Sequence, residues 1–261
     1  MKRIILITLL FFSLIISAFS QTKLEKSSEQ FSNGEYVWEV IYNNQIVGEF
    51  WPVNALNLVT RDLNPEIFES EVDIVIIQDN LKGVATAPDG MTGGSLGVYQ
   101  MQGKCLSHGL PCGDGIVYKY GIICVSSNGY SIKFTHTNEI QNFDSLYSRY
   151  QKIGGTIFFL PSIFRNGNYL SSKKVIDRVF IRRDVPGGEQ IGVIMFDQEI
   201  TYDKAREIIL GLNRAGKSKT THIYVLDGGP YWGQSCKAVN GQIKVIGTRN
   251  TEVVTNYLVF Y

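Results

Sequence analysis

Short runs of β-branched and aromatic residues, bounded by glycine, proline and asparagine, recur along this chain and constrain its fold. The clearest are "GTIFFLP", "DRVFIRR", "QIGVIMFD", "THIYVLD", "GQIKVIG" and "TNYLVFY". Such runs are typical of strands that end in tight turns. Because helical patterns are few and no regular strand–helix alternation is present, the sequence predicts an α+β fold. We expect one mainly antiparallel sheet system with a few packed helices.

Two of the strand pairs carry recognisable turn residues. The run "YVWEVIYNNQIVGEFWPV" predicts a hairpin that turns near Asn43 and Asn44. The run "FLPSIFRNGNYLSS" predicts a second hairpin with Asn166 and Gly167 at its turn, since asparagine and glycine accept the backbone angles that tight hairpins need. A further short buried strand is predicted at residues 72–77.

Two segments show helical periodicity. "FDSLYSRYQKI" predicts a helix from Phe143, with Asp144 or Ser145 as its cap. "TYDKAREIILGLNRAGK" places apolar residues at intervals of three and four, which predicts an amphipathic helix capped by Thr201 and ended by Gly216. We expect both helices to pack on the core.

The first 20 residues, "MKRIILITLLFFSLIISAFS", have the features of a secretory signal peptide. Lys2 and Arg3 precede an apolar run, and the small residues Ala18 and Ser20 have cleavage-site spacing. The apolar run is shorter than the roughly 20 residues that a membrane span needs. We therefore expect an exported protein, periplasmic or extracellular, that begins at Gln21 and has no stable membrane insertion after cleavage.

The rest of the chain predicts one domain and gives no sign of a nucleic-acid partner. Residues 21–34 are polar and predict a flexible N-terminus, and residues 35–261 predict a single domain. The chain has 25 basic and 24 acidic residues, so removal of Lys2 and Arg3 leaves a net charge of −1. Such a balance provides no attraction to polyanions.

Four cysteines, Cys105, Cys112, Cys124 and Cys236, lie beyond the predicted leader. An even number in an exported chain predicts two disulfides of unknown connectivity. The spacing of Cys105 and Cys112 suits a small loop staple. His108 between them permits a zinc interpretation, but no second pair has ligand spacing, so we expect no metal and no cofactor.

The segment "GGSLG", residues 93–97, matches the nucleophile-elbow pattern of serine hydrolases. That pattern requires a helix after the serine, whereas "LGVYQM" is typical of a strand. A glycine-rich turn is the better interpretation. The alternative would need His108, His136 or His222 to approach Ser95.

The adjacent arginines of "VFIRR", Arg182 and Arg183, point to opposite faces if their strand continues. One of them then faces inward or toward a cleft, where an arginine binds phosphate or carboxylate through two hydrogen bonds. On these residues alone, two surface charges at the end of a strand are the default interpretation.

The order of these motifs resembles the phosphodiester glycosidase family. The Leu-Pro hairpin with its Asn-Gly turn is followed by "RVFIRR", "IGVIMFD", the helix "TYDKAREIILGL", "IYVLDGG" and "NYLVFY". Upstream, "GVATAPDGMTGGSLGVYQMQGK" is similar to the opening pattern of that family. The resemblance covers residues 80–261.

The resemblance implies a phosphodiester-glycosidase-like α+β fold and hydrolysis of a sugar joined through its anomeric carbon to a phosphodiester. It implies three catalytic residues, Asp227, Arg183 and Asp89. Substrate-binding residues are predicted at Gly228, Gly229, Arg182, Tyr231, Trp232 and Asn256. Phosphate is a good leaving group, so the main tasks are to hold the phosphate and to stabilise positive charge at the anomeric carbon.

The sequence departs from the family pattern at two places. Pro230 follows Gly229, where family members carry a third glycine and a serine, and Asp89 is the nearest substitute for the opening asparagine. Tyr231 and Trp232 could stack on a sugar ring or pack on the sheet. Two hypotheses follow: a hydrolase of glycosyl phosphodiesters, or a catalytically silent module that binds carbohydrate or another partner.

Overall fold

The structure is a computed structural model that describes residues 21–59, 74–77, 104–112, 115–169, 174–213, 217–226, 235–246 and 257–260. Within these ranges the chain forms many antiparallel strands and two α-helices. This confirms the predicted α+β class.

The strands and helices are numbered in chain order. The strands are β1 (Thr22–Gln30), β2 (Tyr36–Tyr42), β3 (Gln45–Pro52), β4 (Leu56–Val59), β5 (Ile74–Ile77), β6 (Leu106–Ser107), β7 (Leu110–Pro111), β8 (Gly121–Val125), β9 (Ile132–His136), β10 (Thr156–Leu160), β11 (Ser162–Arg165), β12 (Asn168–Tyr169), β13 (Val175–Val185), β14 (Gly188–Thr201), β15 (Lys219–Val225), β16 (Ser235–Val239), β17 (Gln242–Ile246) and β18 (Tyr257–Phe260). The helices are α1 (Phe143–Lys152) and α2 (Tyr202–Gly211), with a 3₁₀ helix at Thr137–Glu139.

The described strands form three antiparallel sheets. The first sheet has eight strands in the order β1-β2-β3-β14-β13-β15-β11-β12. The second sheet has five strands in the order β7-β6-β10-β8-β9, and the third has five in the order β17-β16-β5-β18-β4. Strands β13, β14 and β15 lie inside the first sheet, and they carry the motifs on which the predicted function rests.

Both predicted hairpins are confirmed. Asn43 and Asn44 connect β2 to β3 with positive φ angles of 49° and 64°. Asn166 and Gly167 connect β11 to β12 with φ angles of 44° and 92°. Two successive positive φ angles match the right-handed twist of the flanking strands, which explains the asparagine and glycine at these turns.

The N-terminal segment differs from the expectation of a flexible tail. Thr22–Gln30 forms β1, which pairs with β2 over most of its length. Its sequence, "TKLEKSSEQ", is polar because β1 is an edge strand of the first sheet. Charged residues on edge strands discourage pairing with other chains, so polarity here is compatible with a regular strand.

Both predicted helices are present, with differences at their ends. The side chain of Asn142, rather than Asp144 or Ser145, caps α1 by accepting from the N–H of Ser145. Thr201 caps α2 as predicted. Helix α2 ends at Gly211 with Leu212 as its C-cap, and the predicted end at Gly216 lies outside the described residues. In the described ranges no helix is both long and apolar enough to cross a membrane.

The first sheet is buried on both faces. One face, which includes Phe180 and Tyr224, packs in one apolar cluster with residues of the second sheet. The opposite face, which includes Ile181 and Ile223, packs against helix α2. Gly121 of the second sheet lies so close to Tyr224 that an added Cβ would meet its ring at 2.6 Å. A strand that is buried on both faces has a strongly specified register, because a slip of one residue exchanges its two faces.

A buried lysine joins the third sheet to the first. Lys237 of β16 is 2 % exposed, and its Nζ lies 2.6 Å from Glu29 Oε2 and contacts Glu49. Trp51 donates from Nε1 to the same carboxylate of Glu49 at 2.7 Å. Burial raises the pKa of Glu29, but hydrogen bonds from Lys237 and Lys244 outweigh it and hold that pKa below its usual value.

Lys237→Ala should therefore destabilise the fold, because it leaves the partly buried carboxylate of Glu49 without its cation and leaves Glu29 with Lys244 alone. Removing one partner of a buried ion pair costs about 3–5 kcal/mol, and we expect the lower end here. Lys244→Ala is the matched control, since Lys244 is exposed and should leave the free energy of unfolding almost unchanged. Urea unfolding of both variants measures the difference, and equal losses would contradict a structural role for Lys237.

Candidate functional site

Most of the residues implied by the resemblance lie outside the described ranges. These are Asp89, Asp227, Gly228, Gly229, Tyr231, Trp232 and Asn256. Arg182 and Arg183 are described, and so is β15, the strand that leads toward the Asp-Gly-Gly sequence. The described part of the predicted site is the place where β15 ends within the first sheet, and we call this place the edge at Leu226.

An arginine that the sequence reasoning missed lies at this edge. Val225, the last residue of β15, pairs with Val179, and the N–H of Leu226 donates to the carbonyl of Arg178 at 3.4 Å. Arg178 is 1 % exposed. Its Nε donates to Asp177 Oδ1 at 3.1 Å and its Nη2 to Oδ2 at 3.0 Å. This two-bond pair fixes the plane of the guanidinium group.

The neighbouring strand is irregular next to Arg178. Between the pairs Ile176–Ile200 and Arg178–Met195, only Asp177 lies on β13, whereas residues 196–199 lie on β14. Such irregularities bend a strand and often lie next to active sites.

Two carboxylate side chains, those of Glu49 and Asp197, belong to strands next to Arg178. Glu49 of β3 pairs with Met195, which in turn pairs with Arg178. Asp197 lies in the irregular part of β14. Partial burial, and then the charge of Glu49, raise the pKa of Asp197. The edge thus combines a cation of fixed orientation with nearby carboxyl groups.

The predicted pair Arg182 and Arg183 lies at the other end of β13. Arg182 pairs with His222 and Arg183 with Thr220, near the start of β15. Five residues of strand separate Arg183 from Arg178, which corresponds to about 16 Å. The structure therefore does not bring either arginine to the edge at Leu226.

The two arginines have different surroundings. Arg182 is partly exposed and contacts Glu189, and this hydrogen bond is the main cause that raises its pKa. Arg183 is 5 % exposed, so the prediction that one arginine faces inward agrees with the structure. Its Nη2 donates to Ser218 Oγ at 2.6 Å, and Ser218 Oγ donates to the carbonyl of Leu212 at 3.5 Å.

The contacts of Arg183 link it to the end of helix α2. A cation is stabilising near a helix C-terminus, where the last carbonyl groups lack helical partners. Burial lowers the pKa of Arg183, and no carboxylate pairs with it in the described ranges. Its Nη1 also donates to Gln190 Oε1 at 3.3 Å, whereas its buried Nε has no acceptor among the described residues.

Ser95 lies outside the described residues, so the serine-hydrolase alternative stays a prediction. The three histidines lie in a turn, at a helix cap and in an aromatic cluster. His108 is exposed in the turn between β6 and β7. His136 caps the 3₁₀ helix by accepting from the N–H of Asn138 at 3.1 Å. His222 lies within 5.6 Å of the rings of Phe134 and Tyr224.

The predicted disulfides are not found among the described cysteines. Cys105 and Cys112 lie side by side, with the N–H of Cys112 donating to the carbonyl of Cys105 at 3.3 Å, but no disulfide joins them or Cys124. Burial raises the pKa of Cys112 and of Cys124 to about 12, so both are protonated thiols. The described residues contain no group of three or more potential metal ligands.

Comparison with known proteins shows similarity at the level of structure and none at the level of sequence. No protein-family model matches the chain, and no curated protein matches its sequence. Among solved structures, the chain is similar to the zebrafish N-acetylglucosamine-1-phosphodiester alpha-N-acetylglucosaminidase catalytic domain, auto-inhibited by its pro-peptide. The sequences are 10 % identical, the TM-score is 0.49, and the match covers 93 % of this chain and 83 % of that one. This is a distant structural relationship, and it assigns no residue role.

The different surroundings of the two buried arginines predict different costs of replacement. Arg178→Met should lower the free energy of unfolding by about 3 kcal/mol, because it leaves Asp177 without its partner. Arg183→Met should change it by less than about 1 kcal/mol, since no carboxylate is left behind. Chemical denaturation measures both values. A larger loss for Arg183→Met would show that its contacts to Ser218 and Gln190 matter more than the ion pair of Arg178.

Proposed function

We propose that this chain is an exported hydrolase that cleaves the bond between the anomeric carbon of a sugar and an oxygen of a phosphodiester. The observation that carries the proposal is the position of Arg178. The strand that leads into the Asp-Gly-Gly sequence ends beside this buried arginine, whose orientation is fixed by Asp177. The order of motifs over residues 80–261 supports the same substrate class, since it resembles phosphodiester glycosidases.

In this proposal Arg178 replaces Arg183 as the residue that holds the phosphate. The two hydrogen bonds to Asp177 hold the guanidinium group of Arg178 rigidly, which fixes the orientation of this cation beside the end of β15. A preorganised cation of this kind stabilises the negative charge that develops on the departing phosphate.

Asp227 is proposed to stabilise positive charge at the anomeric carbon. Departure of a phosphate from that carbon gives an oxocarbenium-like transition state, which a nearby carboxylate stabilises. Because a phosphate diester is a weak base, its departure needs little help from a general acid. Gly228 and Gly229 would let the backbone approach the phosphate, and Tyr231 and Trp232 offer aromatic faces for the sugar.

Export is part of the proposal and rests on the first 20 residues. A protein expressed with this leader should be recovered outside the cytoplasm and begin at Gln21. Cell fractionation followed by N-terminal sequencing tests this. Recovery of the uncleaved chain from the cytoplasm would contradict export while leaving the proposed reaction open to test on the purified protein.

Purified protein that begins at Gln21 should hydrolyse at least one α-linked sugar-1-phosphodiester of N-acetylglucosamine, glucose or galactose. Arg178→Lys keeps the charge but loses the two-bond geometry, and Asp227→Asn removes the carboxylate charge. Each change should lower kcat on the order of 10²–10³-fold, as does the loss of one preorganised electrostatic contact.

Arg183→Lys is the matched control, because it changes a second buried arginine of the same strand. Its kcat should stay close to that of the unchanged protein, and thermal unfolding should show that all variants are folded. If the folded protein turns over none of the three substrates, the hydrolase proposal fails. Saturable binding of the same compounds without turnover would instead indicate a carbohydrate-binding module.

A further inference from the structure

A second group of polar residues lies across the first sheet, far from Arg178. Arg165 of β11 pairs with His222 of β15, and His222 pairs with Arg182 of β13. Directly paired residues on antiparallel strands have their side chains on the same face, with Cβ atoms about 4.5–5.5 Å apart. The three side chains thus form one row, in which a histidine separates two arginines. We call it the Arg-His-Arg row.

The local backbone explains why the row is ordered. The register of β13 and β15 shifts between the pairs Arg182–His222 and Arg183–Thr220, which makes Thr221 an extra residue in β15. The hydroxyl of Thr221 donates to the carbonyl of Arg182 at 3.2 Å and accepts from Arg182 Nη1 at 3.1 Å. This bulge therefore fixes both the backbone and the guanidinium of Arg182.

The same hydroxyl determines the tautomer of His222. Thr221 Oγ1 lies 3.1 Å from His222 Nδ1, and its single proton already goes to the carbonyl of Arg182. His222 Nδ1 must then donate, so Nε2 carries the lone pair in the neutral ring. Burial, and then the charge of Arg182, lower the pKa of His222 to about 4, so the ring is neutral at pH 7.

Arg165 lacks an acceptor for part of its guanidinium group. Its Nη1 is buried and has no hydrogen-bond acceptor among the described residues, although Glu139 Oε1 lies 3.4 Å away. A buried donor without an acceptor is unfavourable, and an anionic ligand would supply the missing acceptor. The Arg165 side chain is 19 % exposed and that of Arg182 25 % exposed, so both are within reach of solvent.

The carboxylates around the row lie at its rim. Glu139 faces Arg165, whereas Glu189 and Asp184 face Arg182, and all three side chains are more than one-third exposed. Solvent-exposed ion pairs of this kind contribute little to stability. His136, beside Arg165 and Glu139, and the phenol of Tyr224, which donates to the carbonyl of Thr135, complete the titratable surroundings. A ligand that binds both arginines can therefore displace the rim carboxylates.

We propose that the Arg-His-Arg row binds an oxyanion of the phosphate type, at a site separate from that of Arg178. The arginines lie two strand spacings apart, about 10 Å between Cα atoms, so both side chains can reach an anion at the exposed rim of the His222 ring, which is 4 % exposed and packs against Phe134. The anionic oxygens accept from the two guanidinium groups. The remaining P–OH of a phosphate monoanion donates to His222 Nε2, whereas an ionised carboxylate has no proton to donate to this nitrogen.

The three histidines of the chain, His108, His136 and His222, make the site accessible to NMR. Side-chain resonances are followed while inorganic phosphate, glycerol 3-phosphate or acetate is added at constant ionic strength. Phosphate should shift the His222 resonances saturably, while those of exposed His108 stay unchanged. The pKa of His222, about 4 without ligand, should rise by at least about one unit, because the negative charge of the bound anion stabilises the protonated ring.

Arg165→Gln and Arg182→Gln should each weaken phosphate binding by about tenfold or more, since each removes a charge-assisted contact. Arg206→Gln is the matched control, because Arg206 has a similar exposure of 18 % and an ion pair with Asp203 at 3.0 Å, but lies on α2. It should leave binding unchanged. The His108 resonances and thermal unfolding show whether each variant is folded.

Tighter binding of glycerol 3-phosphate would identify phosphate monoesters as the ligand class, and tighter or exclusive binding of inorganic phosphate would identify the free ion. If phosphate shifts His222 no more than acetate does, or binds Arg165→Gln as well as the unchanged protein, the row is not a phosphate site. This proposal is independent of the hydrolase activity, because the row shares no residue with the edge at Arg178.

Discussion

Burial of the first sheet on both faces is the constraint on which the rest of the structure depends. Its central strands β13, β14 and β15 contribute apolar residues both to the cluster shared with the second sheet and to the cluster under helix α2. A slip of one residue in any of them would exchange both sets, and would place Arg178 or His222 on the wrong face. The register that buries the core therefore also fixes the polar groups that could have a function.

This register places two charged centres on the same face of β13. Arg178, Phe180 and Arg182 alternate along the strand, so they share a face, and about 13 Å separates the two arginines. Phe180 and Tyr224 form an apolar layer between them. At one end, Asp177 fixes Arg178 beside the end of β15. At the other end, Arg182 belongs to the Arg-His-Arg row, so the two proposed anion sites lie at opposite ends of this strand.

Local sequence patterns predicted the features that depend on local interactions. The hairpins at Asn43 and Asn166 and the cap of α2 at Thr201 were predicted because turn and cap residues act through their own backbone. Strand β1 was not predicted, because an edge strand with polar residues on both faces has no apolar alternation. The role of Arg178 could not be predicted either, since it depends on the pairing of β13 with the end of β15, which the sequence of neither strand specifies.

The account predicts hydrolysis at the sugar side of the phosphodiester, and isotope labelling tests that claim most directly. The protein is incubated with a sugar-1-phosphodiester in oxygen-18 water, and the phosphorus product is examined by ³¹P NMR. If the bond to the anomeric carbon breaks, the label enters the sugar and the released phosphate monoester shows no isotope shift. An isotope shift of the phosphate signal would mean attack at phosphorus, and would contradict the proposed mechanism.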